Sequence, residues 1–309
     1  MARPDRPSSV DRFGRRPGLT AALGAGCIAF SAILVRLAEV SPDTAAVFRC
    51  VYALPVLGLL AWREHRRFGP VGRGDRRIAL LAGLFFALDL IAWHRSIREV
   101  GAGLATVLGN LQVVMVGLVA WWLLRERPSG RLLLAVPVVV AGIVLISGVL
   151  EEGAYGSDPV AGTVFGILTA GAYTVFVLLL RRANADLRRP AGPLWAATLS
   201  ASAMSLAAGL ALGDLDLLPG WPAQGWLVLL ALTSQVAGWL LISISLPRLP
   251  AAVTSVVITL QPVGSVFLAV LLLGEAPSAL QFAGVALVLA GVVVAARGRR
   301  RLPVPEPAG

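Results

Sequence analysis

The sequence predicts an all-α integral membrane protein, with ten transmembrane helices arranged as two inverted five-helix repeats and both termini in the cytoplasm. Three observations predict it. First, of 309 residues 57% are hydrophobic and only 14% charged, and the mean hydropathy is +0.80. Soluble domains carry about 25% charged residues, so these apolar side chains need lipid and not merely a core. Second, the apolar residues fall into ten runs of membrane-spanning length. Third, residues 101–147 recur without a gap 149 positions later, as residues 250–296.

The runs are 18–38, 45–62, 78–98, 101–124, 131–150, 159–180, 193–213, 225–246, 250–273 and 279–297. None alternates apolar and polar residues at every second position, as an outer-membrane strand would, so all are assigned as helices. Residues 1–17 read as a disordered basic tail. A basic start before an apolar run is also the pattern of a signal peptide. This run is too long and is followed by nine more, so it is read as a retained first span. Residues 18–150 and 159–297 then form one five-helix repeat each, and 298–309 form a cytoplasmic tail.

Charge sets the orientation. All 27 basic residues are Arg, and the net charge is +10. All but four of them (Arg36, Arg49, Arg95, Arg98) lie in the N-terminal tail, in alternate connections, or after the last run. The other connections hold acids: Glu39, Asp43, Glu151, Glu152, Asp158, Asp214, Asp216 and Glu275. This asymmetry puts both termini on the cytoplasmic side of a cytoplasmic membrane. The positive charge is therefore an orientation signal, and no nucleic-acid partner is expected. Cys27 and Cys50 sit inside apolar runs and report packing. No Cys/His cluster occurs, so neither metal nor cofactor is expected.

The recurrence gives the halves their relation. Leu111-Gln112 falls on Leu260-Gln261, Glu126 on Glu275, Pro128-Ser129 on Pro277-Ser278, and Ala141-Gly142 on Ala290-Gly291. About a third of the aligned positions are identical. The copies are five spans apart, so the second enters the membrane from the opposite side. Glu126 is then expected at the cytoplasmic surface and Glu275 at the outer one. Such inverted repeats carry substrate near the midplane in many secondary transporters.

These features together resemble the drug/metabolite transporter superfamily, in its ten-helix form built from two EamA-type repeats. The residues carrying the resemblance are the short connection from Arg98 to Gly101 and the Gln261-Pro262 step. Others are the LLLGE ending at Glu275 followed by Pro277, Ala283-Gly284 with Ala290-Gly291, and Phe48-Arg49 at the start of the second run. The resemblance spans about residues 18–297 and implies transport of a small molecule. One departure is Val113 at the place of Pro262, so a Pro-dependent kink is expected only in the second half.

Polar residues inside the runs are the candidate site. A charge at the bilayer centre costs at least about 2.5–3.5 kcal/mol and needs a reason. Asp89 is either a proton-coupling or cation-binding carboxylate, or a protonated group hydrogen-bonded to a neighbouring helix. Trp93 lies one turn from it on the same face. His94, near the outer end, is a titrating group or a packed one. Gln112 and Gln261 sit at equivalent midpoints and are expected to face each other, beside Asn110. The bland alternative is interhelical hydrogen bonding. Pro262 frees a backbone carbonyl one turn earlier. Gln235 and Trp239 occupy the segment equivalent to the Asp89 region, where Asp89 itself meets Gly238. Tyr173 is a further cavity candidate. Arg49 is expected near the outer interface, either snorkelling or binding an anionic substrate group.

The expected function is a secondary transporter that exports a small polar or amphipathic metabolite by alternating access, with protons as coupling partner through Asp89. Its other partner is the lipid bilayer. No GxxxxGK[ST] motif occurs to bind ATP. The alternatives are an intramembrane enzyme acting on a lipid-linked substrate and a non-transporting assembly partner.

Overall fold

The computed structural model describes residues 16–124, 129–245, 249 and 251–297. Glu126, Arg125, Arg127, Pro128, Arg248, Pro250 and the tail residues 1–15 and 298–309 lie outside the described residues.

Each apolar run lies on a helical segment, and no strand occurs among the described residues. The segments are α1 (Pro17–Ala29 and Ser31–Ala38), α2 (Pro42–Phe68), α3 (Arg73–Val100), α4 (Ala102–Gly109 and Gln112–Leu124) and α5 (Gly130–Ile146). The second half repeats the order: α6 (Pro159–Ala183), α7 (Ala191–Leu212), α8 (Ala223–Ser245), α9 (Ala251–Leu273) and α10 (Ala279–Arg297). Among the described residues, eight segments are long and apolar enough to cross a membrane. The other two apolar stretches, Gly130–Ile146 and Thr259–Leu273, are shorter. Start signals are local. Ser41, Ser129 and Asp158 accept the N–H of Thr44, Leu132 and Ala161, and Pro42 and Pro159 open their helices with no N–H to lose.

The packing repeats as the sequence does. Helix α3 packs on α6, and its counterpart α8 packs on α1. The contact of α4 with α6 is matched by α9 with α1, and α3 with α7 by α8 with α2. Three contacts join equivalent helices directly: α2 with α7, α4 with α9, and α5 with α10. The match reaches single residues. A methyl group added at Gly142 would lie 2.8 Å from both the Gly284 carbonyl oxygen and Val288 Cγ2. At the 149-residue offset, one added at Gly291 would lie 3.3 Å from the Ala135 carbonyl oxygen and would overlap Val139 Cγ2. Only glycine lets α5 and α10 approach so closely.

One end of the bundle is stitched shut. Ser41 Oγ–H donates to the Asp214 carbonyl, and the Asp216 N–H donates to Thr44 Oγ1 at 2.8 Å, joining the α1–α2 and α7–α8 connections. Arg95 bridges to Asp43 at 3.0 Å. The Ser157 N–H donates to the Glu99 carbonyl at 2.8 Å. Gln281 exchanges two hydrogen bonds with the Tyr155 backbone, both 3.0 Å, while Ser278 Oγ–H donates to Glu151. Glu275 closes the set. Its carboxylate accepts the N–H of Ala102 at 2.6 Å and of Gly103 at 3.1 Å, capping α4 where Gly101 turns at φ +87°. Burial pushes the Glu275 carboxyl up from the usual carboxylate range, against the pull of those two amides. The acids assigned by sequence to one side, Asp43, Glu151, Asp214, Asp216 and Glu275, thus gather at one end.

The opposite end is cross-linked too among the described residues. Glu64 accepts the N–H of Ala191 at 3.0 Å and of Gly192 at 2.9 Å, and Arg189 reaches the Pro70 carbonyl at 2.9 Å. A cavity of ≈ 210 Å³ opens there among Glu64, His65, Arg76, Arg189 and Trp195. Asp186 is bonded by Arg188 and Arg189, and the Arg188 side-chain hydrogen bond is the main cause holding its carboxyl down at about 2. A depressed carboxyl stabilises the fold above its ordinary value and stops doing so as pH falls through the depressed one. Wild type should therefore melt higher than Asp186→Asn at pH 5, with the gap closing as pH approaches 2. The cluster is largely exposed, so the gap will be small.

Four interruptions or continuities depart from a plain ten-rod reading. Helix α1 is broken at Phe30, and α8 passes through a π-helical stretch, Ala231–Gly238. Helix α9 runs unbroken through Pro262, and a break falls in the proline-free copy at Asn110–Leu111. There the backbone tightens into i→i+3 bonds, Leu111 N–H to the Leu108 carbonyl and Val113 N–H to the Asn110 carbonyl, while the Thr106 carbonyl accepts both the Asn110 N–H at 3.2 Å and the Asn110 Nδ2–H at 2.9 Å.

Candidate functional site

A cavity of ≈ 70 Å³ lies between the two halves, lined by residues of α1, α2, α3, α4, α6, α8 and α9. It is far smaller than the ~300–1,000 Å³ of small-molecule sites, so helices must part before a metabolite can enter.

Arg49 is its centre. Helix α2 begins at Pro42, capped by Ser41, and Arg49 follows about two turns later, where it is 3% exposed and held among polar side chains instead of snorkelling. Its guanidinium donates from Nε to Gln235 Oε1 at 3.1 Å, from Nη1 to Ser31 Oγ at 3.0 Å, and from Nη2 to Ser234 Oγ at 3.1 Å. It also lies over the Trp93 ring, 5.6 Å from the centroid. Gln235 is completed by Thr198, whose Oγ1 accepts its Nε2–H at 3.1 Å. Thr198 is the position equivalent to Arg49 in the second half. The chain Arg49–Gln235–Thr198 therefore links the two copies of one site. Both helix irregularities serve it: Ser31 follows the break at Phe30, and Ser234 and Gln235 lie in the π-helical stretch. Such stretches are frequent where a helix must redirect side chains at a functional site.

Asp89 lines the same cavity and is 6% exposed. Among the described residues its carboxylate has no hydrogen-bond or ion-pair partner. It acts on Arg49 through space without touching it. Part of the wall is aromatic: Phe86 stacks on Phe176 with centroids 4.3 Å apart, and Trp239 meets Phe176 and Tyr173 edge-on at 5.1 and 5.9 Å.

Of the residues singled out from sequence, Arg49, Asp89, Trp93, Asn110, Tyr173, Trp239 and Gln261 line the cavity. Gln235 lies directly beneath Arg49. The expected meeting of Gln112 and Gln261 does not occur. The turn at Asn110–Leu111 brings Asn110 to the cavity in place of Gln112, whose carbonyl accepts Thr174 Oγ1–H at 3.4 Å. Pro262 is buried away from the lining. His94 is 2% exposed with Nδ1 3.1 Å from the Pro42 carbonyl, so its ring serves the start of α2 and not the cavity. Sequence reasoning missed Ser31, Thr106, Thr198 and Ser234. Isolated Ser and Thr are common in membrane helices, and nothing in their spacing marks these.

Comparison with known proteins agrees with this architecture. One solved structure, titled only "Crystal structure of protein", is similar at a TM-score of 0.57 and 19% identity, covering 91% of this chain and 96% of that one. At that identity it speaks for the fold alone. No curated protein matches the sequence. The EamA-like transporter family matches residues 16–148 and 160–297, one match on each half. The chain is thus a multi-pass membrane protein with two EamA repeats, and it belongs to the EamA-like transporter family.

Proposed function

We propose that this protein is a secondary transporter of a small polar or amphipathic metabolite, working by alternating access across the cytoplasmic membrane. The observation that carries the reading is the buried cavity between the halves, with Arg49 and Asp89 facing it without pairing. In this reading all ten helical segments span the membrane and the repeats, 18–150 and 159–297, are inverted. The alternation of Arg-rich and acidic connections puts both termini in the cytoplasm. The end that holds Asp43, Glu151 and Glu275 then faces outward, and the end that holds Glu64 and Arg189 faces the cytoplasm. Export is the direction assigned in this reading. The matched packing of the halves supports rocking, since each half can adopt the shape of the other.

Asp89 is the candidate for proton coupling, as the acid in the cavity left without a partner among the described residues. Flux in proteoliposomes tests both levels of the proposal. In wild type, substrate movement should follow an imposed pH gradient, and Asp89→Asn should lose that dependence. Unchanged pH-dependent flux in the variant would remove Asp89 from coupling. An absence of flux across a broad panel of metabolites would overturn the transporter reading itself.

A further inference from the structure

We propose that the cavity at the Arg-rich end, between the last turn of α2 and the first turns of α7, takes a phosphate group, with an anionic phospholipid of the cytoplasmic leaflet as its source. At ≈ 210 Å³ it is larger than the ≈ 70 Å³ central cavity and shares no lining residue with it. The site rests on the membrane orientation of the transporter reading and on no transported substrate.

Its cations come from two elements. Arg189 lies in the α6–α7 connection and Arg76 in the first turn of α3. Arg189 is held in place: Nε–H donates to Asp186 at 2.9 Å and Nη1–H to the Pro70 carbonyl at 2.9 Å. Its Nη2 makes no hydrogen bond among the described residues. The Arg76 side chain, which is exposed, has no hydrogen bond or ion pair among them either. One guanidinium is thus fixed and the other is left to close on a ligand. The planar fork of each matches a phosphate. Glu64 is the one acid in the lining, and both its oxygens are occupied. They accept the N–H of Ala191 at 3.0 Å and of Gly192 at 2.9 Å, where the positive end of α7 offsets the carboxylate charge.

The remaining lining is apolar, with Val71, Pro193 and Trp195. A site for free phosphate has no use for such a floor, whereas a lipid brings glycerol and the start of its chains. The neighbouring face of α2 supports that source. Val51, Leu59 and Trp62 are exposed along it, and the Arg66 guanidinium lies 5.2 Å from the Trp62 ring centroid. Trp beside a basic residue marks headgroup level. Basic pockets between helices on the cytoplasmic side suit anionic headgroups. A zwitterionic headgroup would bring its own cation against Arg76 and Arg189.

The experiment compares nanodiscs of phosphatidylcholine alone with nanodiscs that also contain phosphatidylglycerol. Wild type should melt at least about 3 °C higher in the mixed discs. Arg76→Gln should melt with wild type in phosphatidylcholine and lose most of the gain. Arg181→Gln removes an exposed charge of the last turn of α6, at the same end but outside the cavity, and should keep the gain. Native mass spectrometry should find phosphatidylglycerol retained by wild type and Arg181→Gln, and retained at least about fivefold less by Arg76→Gln. Equal losses in the two variants would mean diffuse attraction to the whole Arg-rich surface and would overturn the site. So would the lack of any gain in wild type with either ligand. Inorganic phosphate is added to the phosphatidylcholine discs against chloride at equal ionic strength. A gain from phosphate but none from phosphatidylglycerol would overturn the lipid and keep the phosphate site. None of these readouts involves flux, so the transporter proposal stands or falls separately.

Discussion

Arg49→Met should lose at least about 100-fold in transport rate while its melting temperature stays within about 3 °C of wild type. The two effects separate because they have different origins. The substitution removes three hydrogen bonds from a charged donor, each worth about 1.5–3 kcal/mol. It also removes a buried cation with no contacting anion, whose desolvation opposes folding by several kcal/mol. Met is similarly long and unbranched, so the space stays filled. Ser31 and Ser234 can turn their hydroxyls to helix carbonyls, and Gln235 keeps Thr198. The opposing energies are of similar size and nearly cancel in stability. Nothing offsets the loss of the charged fork that faces the cavity. A differential scanning measurement in detergent, beside counterflow, checks both halves. A variant that melts far below wild type would make Arg49 a strut of the fold.

Glu275→Ala should show the opposite balance, with stability falling by about 3 kcal/mol. The N–H groups of Ala102 and Gly103 are buried and have the Glu275 carboxylate as acceptor. Each buried donor left without a partner costs about 1–3 kcal/mol, and a carboxylate at a helix N-terminus adds about 0.3–2. Water can recover part of this once the side chain is gone. Glu275→Gln keeps one acceptor oxygen and should fall between. Chemical or thermal denaturation of the three proteins checks the order. A Glu275→Ala protein as stable as wild type would show that the cap contributes nothing net.

The fold was far more legible in the sequence than the site. A run such as 159–180 declares itself because lipid demands an unbroken apolar stretch, and no polar context competes with that demand. The Arg and acid alternation was equally plain, and the acids do share one end. Interruptions were not readable. Helix α9 runs on through Pro262, whereas α4 tightens at Asn110–Leu111 into i→i+3 hydrogen bonds. Which carbonyl each N–H meets there is local geometry, and composition does not encode it. The same holds for the burial of Arg49, which depends on Ser31, Ser234 and Gln235 reaching it from other helices. Asp89, Trp93, Tyr173 and Trp239 could be named because acids and aromatics within a span are rare. Ser31 and Ser234 could not, because their type is ordinary there and only their neighbour Arg49 gives them meaning.

The crossing of α5 and α10 has a consequence of its own. Gly142 on Gly284 and Gly291 on Ala135 are one arrangement seen from its two sides. A helix pair that maps onto itself when the halves trade shapes cannot favour either facing. Whatever free energy the crossing supplies is common to both end states and drops out of their difference. Substitutions there should change how long the protein survives and leave untouched which way it is open. In the proposed alternating-access cycle, a preference for one facing would come instead from positions that have no twin, such as Asp89 against Gly238 and Arg49 against Thr198.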